Sequence, residues 1–108
     1  MNYSVQTIDI FEKQAKKLNK KYPSLKLELK ELVEHLKSNP DYGIALGGNC
    51  FKIRLSVKSK GKGKSGGLRI ITYYKVINET IFLISIYDKS EINTIPIQTI
   101  NSILTKIK

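Results

Sequence analysis

The sequence predicts an α+β domain: two N-terminal helices packed on a small, mainly antiparallel sheet, in the order β-α-α-β-β-β, followed by a C-terminal helix. Three observations carry this. Leu25, Leu29, Leu32, Val33 and Leu36 recur at helical spacing. Three runs rich in β-branched and aromatic residues follow residue 50. The last two are joined by Asn78 and Glu79, short enough for a hairpin turn. At 108 residues the chain reads as one domain, residues 1–108.

Residues 3–8 alternate and predict a short strand. Asp9 with Glu12 three positions on resembles an N-cap and its partner. Phe11, Ala15 and Leu18 then recur at helical spacing, which predicts a helix over 9–21. Pro23 fits the first turn of a second helix, which the leucine stripe continues and Pro40 stops. Lys16, Lys17, Lys20, Lys26 and Lys30 are read as the solvated faces of these helices. Gly43, Gly47 and Gly48 mark a turn-rich connection. Phe51, Ile53, Leu55 and Val57 alternate with Lys52, Arg54, Ser56 and Lys58, giving a strand with one apolar and one basic face. The stretch 58–67, KSKGKGKSGG, cannot pack and is read as a loop. The runs 68–77 and 80–88 are apolar on both faces, as expected of strands inside a sheet. Thr94 and Pro96 open a last segment with Ile97, Ile100, Ile103, Leu104 and Ile107, read as a helix or an amphipathic tail.

The composition excludes several function classes. One cysteine, Cys50, rules out an internal disulfide framework and a Cys-based zinc site, and its expected role is as a small apolar filler. One histidine, His35, rules out a His-rich metal site and argues against a Ser-His-Asp triad. It falls beside Glu28 and Glu31, off the leucine stripe, and is read as solvated. No apolar run reaches the roughly 20 residues of a membrane span, and the N-terminus lacks a secretory pattern. A cytoplasmic protein without metal or cofactor is expected.

The chain carries 19 basic and 9 acidic residues, a net charge of +10. Lys52, Arg54, Lys58, Lys60, Lys62, Lys64, Arg69 and Lys75 all lie between Asp41 and Glu79 with no acidic residue among them. This one third therefore supplies +8 of the +10. Charge concentrated on β-structure is a footprint for a polyanion, most commonly RNA or DNA. On a strand, Lys52 and Arg54 project from the same face about 7 Å apart, close to the spacing of adjacent phosphates. Arg54 and Arg69 are the only arginines beside 17 lysines. That economy points to a need for a planar, forked donor at those two positions. Gly63-Lys64-Ser65 invites a phosphate-loop reading. Position 58 is Lys rather than the required Gly, and a strand rather than a helix follows, so nucleotide hydrolysis is rejected. Tyr73 and Tyr74 are read as packing residues. Tyr87 and Lys89 share a face at a strand end and offer a stacking surface and a proton donor.

The segments FKIRLSVKSKGKGKSGGLRIITYY (51–74) and IFLISIYDKSE (81–91) resemble the RelE/ParE toxin superfamily of bacterial toxin–antitoxin modules, most closely its HigB-like branch. Two helices followed by a basic antiparallel sheet also match that family, so the resemblance covers most of the chain. It implies a RelE-like fold and cleavage of mRNA in the ribosomal A site, with inhibition of translation. It places Lys52 and Arg54 as the first basic pair of the active face and Arg69 as the phosphate-gripping arginine of the next strand. Tyr87 and Lys89 become the aromatic-plus-basic group at the last strand end. The lysines at 58, 60, 62, 64 and 75 are expected to bind the nucleic-acid backbone. Several members carry a functional tyrosine near the C-terminus, whereas this chain has none after Tyr87. The partners implied are the ribosome, mRNA and an adjacently encoded antitoxin of helix-turn-helix type. Operator DNA would be reached only through that antitoxin. The apolar C-terminal segment and the two-sided apolar strands are candidate docking surfaces for it.

RNA carries its own nucleophile, the 2′-OH, so such an enzyme needs no metal. Arg54 and Arg69 would bind the phosphorane charge, and Lys or Tyr must move the protons. Two other readings stand beside this one. A ParE-like inhibitor of DNA gyrase would not need the basic active face. A non-catalytic RNA- or ribosome-binding module would use the basic patch without cutting.

Overall fold

The structure, a computed structural model, describes residues 3–60, 67–91 and 95–107. The elements are β1 (Ser4–Thr7), α1 (Asp9–Lys21), α2 (Leu25–Leu36), β2 (Ile44–Gly47), β3 (Cys50–Leu55), β4 (Leu68–Lys75), β5 (Thr80–Asp88) and α3 (Ile97–Ile107). The five strands form one sheet in the order β1-β5-β4-β3-β2. Only β1 runs parallel to its neighbour, β5, and the other pairings are antiparallel.

β4 and β5 are covered on both faces, which explains their two-sided apolar sequences. On one face Phe11, Leu18, Leu25, Leu32 and Leu36 of α1 and α2 pack against Ile53, Leu68, Ile70, Ile81, Leu83 and Ile86. On the other, Ile100, Ile103 and Leu104 of α3 pack against Cys50, Ile71, Tyr73 and Ile84. The C-terminal segment is therefore a packed helix, and its apolar stripe is used internally. Cys50 is the apolar filler expected of it, 3% exposed. Tyr73 stacks on Phe82 at 6.4 Å, and Tyr74 meets Tyr3 edge-on at 5.5 Å, so both are packing residues.

Several boundaries differ from the sequence reading. The N-cap of α1 is Ile8, not Asp9, and no side chain caps it. α1 spans the expected 9–21, and Ile8, drawn into both apolar layers, takes the cap position that the polar signal assigned to Asp9. Glu12 instead accepts a hydrogen bond from the Thr7 hydroxyl at 2.7 Å. Pro23 precedes the Ser24 cap of α2 rather than lying in its first turn. That helix ends at Leu36, ahead of Pro40, where Asn39 bonds the His35 carbonyl through its backbone N–H (3.1 Å) and Nδ2 (3.0 Å). The β4–β5 turn is not the pair Asn78-Glu79. Lys75 pairs with Thr80, so residues 76–79 form a four-residue turn, with Glu79 at φ 49°.

The glycine-rich connection holds a strand that the sequence reading missed. β2 is only four residues long and mostly exposed, so it carries no alternation to detect. It turns into β3 through Gly48 (φ 59°) and Asn49 (φ 64°). Gly43 has φ 112°, and a Cβ there would lie 2.7 Å from the Lys52 carbonyl oxygen. Gly43→Ala is therefore expected to cost roughly 1–3 kcal/mol, readable as a lower urea midpoint. At the other side of the sheet β1 stops at Thr7, opposite Leu83. Beyond it Gln14 Oε1 accepts from Ile86 N–H (3.0 Å) and Ser85 Oγ (3.3 Å), which seals the open edge of β5.

Candidate functional site

The strand register decides which basic residues meet. Arg54 pairs with Arg69 across β3–β4, and Arg69 pairs with Tyr87 across β4–β5. Directly opposed residues share a face of the sheet, with strands about 4.8 Å apart. Arg54, Arg69 and Tyr87 therefore form one continuous cross-strand row. Lys52 lies in the next row of the same face, opposite Ile71, which faces Ser85. Lys89 follows β5, exposed, with its N–H on the Gly67 carbonyl at 3.4 Å. Lys52, Arg54, Arg69 and Tyr87 thus share one end of one face, and Lys89 follows at the strand end. α3 packs on the same face, and Tyr87 belongs to the apolar cluster that it covers.

The row is graded in burial. Arg54 is exposed, whereas Arg69 is 3% and Tyr87 4% exposed. Arg69 Nη1 donates to the Leu68 carbonyl at 3.1 Å. Burial lowers the Arg69 guanidinium below its usual range, the neighbouring Arg54 charge lowers it further, and Tyr87 acts in the opposite direction. A cation held this way, out of water and beside a second cation, favours any anion that reaches it. The Tyr87 hydroxyl is buried and finds no hydrogen-bond partner among the described residues. A buried hydroxyl in that state is costly, and an incoming oxygen would relieve it.

The residues expected to bind backbone phosphates separate. Lys58 is exposed, and its backbone N–H is held by Glu28 Oε2 at 2.7 Å. Lys60 is not displayed to solvent. Its ammonium pairs with Asp88 at 3.1 Å, and the two side chains are 7% and 0% exposed. Lys60 is therefore corrected from a phosphate contact to an internal ion-pair partner. Lys75 ends β4, six residues from Arg69 and hence roughly 20 Å away, so it stands apart from the row. Lys62 and Lys64 lie outside the described residues.

Sequence reasoning missed Asp88 and Tyr22. Asp88 accepts from the Tyr22 hydroxyl (2.7 Å), from Lys60, and from Ser90 through its N–H (2.9 Å) and Oγ (2.7 Å). Only the local Asp-x-Ser spacing was a signal; partners 28 and 66 residues away were not. Burial pushes the Asp88 carboxyl up, but bonds from Ser90, Tyr22 and Lys60 outweigh it and hold it well below its usual range. Burial likewise lowers Lys60, and its bonds to Asp88 and Tyr22 reverse this to a net rise. Both groups thus stay charged. The stabilisation from Asp88 is complete above its ordinary 3.8 and is lost as pH falls below that value. That from Lys60 is complete below 10.5 and is lost as pH rises through its higher native value. The difference in urea midpoint between the wild-type chain and Asp88→Asn is therefore expected to be flat through neutral pH and to shrink in acid.

His35, read as solvated and off the leucine stripe, is exposed but not isolated. It meets Tyr42 edge-on at 4.5 Å. Both line a groove of about 410 Å³ between α2 and β3 that Arg54 also lines.

The fold is a small α+β domain with two arginines, a tyrosine and two lysines at one sheet end. The family model described as "RelE toxin of RelE / RelB toxin-antitoxin system" matches residues 8–105. The chain belongs to this family and is a RelE-type toxin. Solved structures agree on the fold. An arginine-to-alanine double mutant of Escherichia coli toxin RelE in the free state aligns with a TM-score of 0.63 at 18% identity, covering 86% of this chain and 90% of that one. The toxin in the intact E. coli RelBE toxin–antitoxin complex aligns at 0.60 and 19%, over 80% and 95%. A metal-bound toxin from Helicobacter pylori aligns at 0.52 and 23%, over 83% and 98%. Among the described residues no helix is long and apolar enough to cross a membrane.

Proposed function

We propose that this toxin is an mRNA endoribonuclease of HigB-like type that acts on translating ribosomes in the cytoplasm and thereby inhibits translation. The observation that carries this reading is the Arg54–Arg69–Tyr87 row, with Lys52 and Lys89 beside it. Two guanidiniums and a hydroxyl on one rung match a phosphodiester passing through a pentavalent state. The RNA 2′-oxygen attacks the adjacent phosphorus, a 2′-O–P bond forms, and the P–O5′ bond breaks. Arg54 and Arg69 hold the negative charge that grows on the phosphoryl oxygens. One proton leaves the 2′-OH and one reaches the 5′-oxygen, carried by two of Tyr87, Lys52 and Lys89. Lys58 and the lysines of the 58–67 stretch other than Lys60 guide the RNA backbone.

The same reading supplies the partners. A cognate antitoxin, of helix-turn-helix type and encoded adjacently, would neutralise the toxin and carry any operator binding. The relative in the RelBE complex is bound to its antitoxin. Since the proposed reaction uses the substrate's own nucleophile, toxin stripped with EDTA and then desalted is expected to cut mRNA-programmed ribosomes as fast as untreated toxin. Its products are expected to be a 2′,3′-cyclic phosphate and a 5′-OH, read by end-labelling with and without prior phosphatase. Fragments carrying 5′-phosphates would overturn the mechanism. Growth arrest with intact mRNA and blocked supercoiling would instead favour gyrase inhibition.

A further inference from the structure

β2 stops short of the end of β3. The pairing ends at Ile44 opposite Lys52, so β3 runs on through Arg54 and Leu55 with no strand on that side among the described residues. Gly43 turns the chain there at φ 112°, close against the Lys52 carbonyl. Tyr42 is thereby left beside the open edge. It meets His35 of α2 edge-on at 4.5 Å, with the ring planes at 74°, and both residues are exposed. The turn is fixed from α2: Asn39 Nδ2 donates to the His35 carbonyl at 3.0 Å, and Tyr42 N–H donates to the Asn39 carbonyl at 3.2 Å.

Two hollows meet at this edge. The groove between α2 and β3, about 410 Å³, and a second of about 420 Å³ at the end of β2 are both lined by Tyr42, Ile53 and Arg54. Together they lead over the β3 edge, from α2 to the face that carries the arginine row. Clefts of about 300–1,000 Å³ are the size that small ligands occupy. Charge is polarised along this path. Lys52 and Arg54 stand toward the row, and Glu28 and Glu31 stand toward α2. Glu28 is engaged within the fold, accepting from Ser24 Oγ at 3.1 Å and from Lys58 N–H at 2.7 Å. Glu31 is exposed and joins none of the ion pairs among the described residues. It lies four residues before His35, on the same side of the helix.

This polarity selects an occupant. A phosphate is drawn to the Lys52–Arg54 end and repelled by the carboxylates, whereas an uncharged base offers a π-face to exposed rings. Single-stranded RNA is read in this way, by splayed bases stacked on aromatic side chains and hydrogen-bonded along their Watson–Crick edges. An ionised carboxylate only accepts hydrogen bonds. Guanine offers it two parallel donors, N1–H and N2–H. The other bases offer one, beside acceptors that repel it.

We propose that this groove is a nucleobase subsite. The nucleotide next to the phosphate held by Arg54 turns over the β3 edge, stacks on the Tyr42–His35 pair and gives its Watson–Crick edge to Glu31, with guanine preferred. Tyr42 and Glu31 set specificity and take no part in bond breaking. The subsite rests on the reading that the arginine row holds an RNA phosphate; it does not require that the chain cuts.

The test titrates the full wild-type chain, Glu31→Gln and Tyr42→Leu with short, uridine-rich, fluorescent 2′-O-methyl RNAs that carry one central G, A, C or U. The blocked 2′-oxygen prevents cleavage by 2′-attack, so only binding is read. The wild type is expected to hold the G-bearing RNA at least about fivefold more tightly than the all-U RNA, the low end for a bidentate base contact. Glu31→Gln is expected to lose that preference while binding the all-U RNA as well as the wild type or better, since a negative charge is removed. Tyr42→Leu is expected to lose at least about fivefold on the G-bearing RNA through lost stacking. Its salt slope is expected to stay unchanged, because no phosphate contact is lost. Equal affinity for the four RNAs, or no binding by the wild type at low salt, overturns the subsite. So does a Glu31→Gln chain that strengthens all four alike, or a Tyr42→Leu chain that binds as the wild type does. Should Tyr42→Leu melt early, the Glu31→Gln comparison decides alone. If the wild type prefers guanine yet leaves mRNA on ribosomes uncut, the ribonuclease reading fails and the subsite stands.

Discussion

Arg69→Ala is expected to lower mRNA cleavage by about 10²–10³-fold while leaving most RNA binding in place. The reasoning starts from position. Arg69 is the central member of the Arg54–Arg69–Tyr87 row and is almost fully buried. A donor already stripped of water needs no reorganisation when charge develops in front of it. In the ribonuclease reading the exposed Arg54 would still capture RNA, so affinity should fall less than rate. Because Arg69 also fills space in the sheet, Arg69→Met serves as the fold control, keeping length without charge. It is expected to retain a melting temperature near that of the wild type and to cut as poorly as Arg69→Ala. Arg69→Lys keeps the charge but loses the fork, and is expected to fall between the two.

Tyr87→Phe should separate activity from stability in the opposite sense to most buried substitutions. The hydroxyl has no partner among the described residues, so removing it breaks no bond in the free protein. An unsatisfied buried polar group costs about 1–3 kcal/mol, so the variant is expected to be as stable as the wild type or more so. If Tyr87 moves a proton in the reaction, cleavage falls by about 10²–10⁴-fold. A melting temperature that holds or rises together with a lost rate would identify the hydroxyl as a functional group. An unchanged rate would assign both proton transfers to Lys52 and Lys89.

Much of this arrangement was legible because it is written locally. The leucine stripe of α2, the alternation of β3 and the two-sided apolar runs of β4 and β5 each report a single element's surroundings. The candidate site residues stood out for a related reason. Arg54 and Arg69 stand out in a lysine-rich chain, and the period of two places Lys52 with Arg54 and Tyr87 with Lys89. What the sequence could not show was register: that Arg54, Arg69 and Tyr87 fall on one rung rather than on staggered ones depends on turns and a bulge between Ile71 and Thr72. Lys60 was misread because its charge looked like its neighbours' charges. Only tertiary contact with Asp88, 28 residues away, distinguishes a buried partner from a surface lysine. β2 and the 76–79 turn were missed because short, exposed strands and apolar turn residues such as Val76 and Ile77 break the composition rules that sequence reading uses.

The most direct test of ribonuclease action is made in cells. The toxin is induced without antitoxin, and the 5′ ends of total RNA are mapped beside an Arg69→Met strain expressing equal toxin. New 5′-OH ends inside coding regions, in frame, confined to translated messages and absent from the Arg69→Met strain, are the predicted result. Growth arrest in the wild-type strain with no new ends would contradict it.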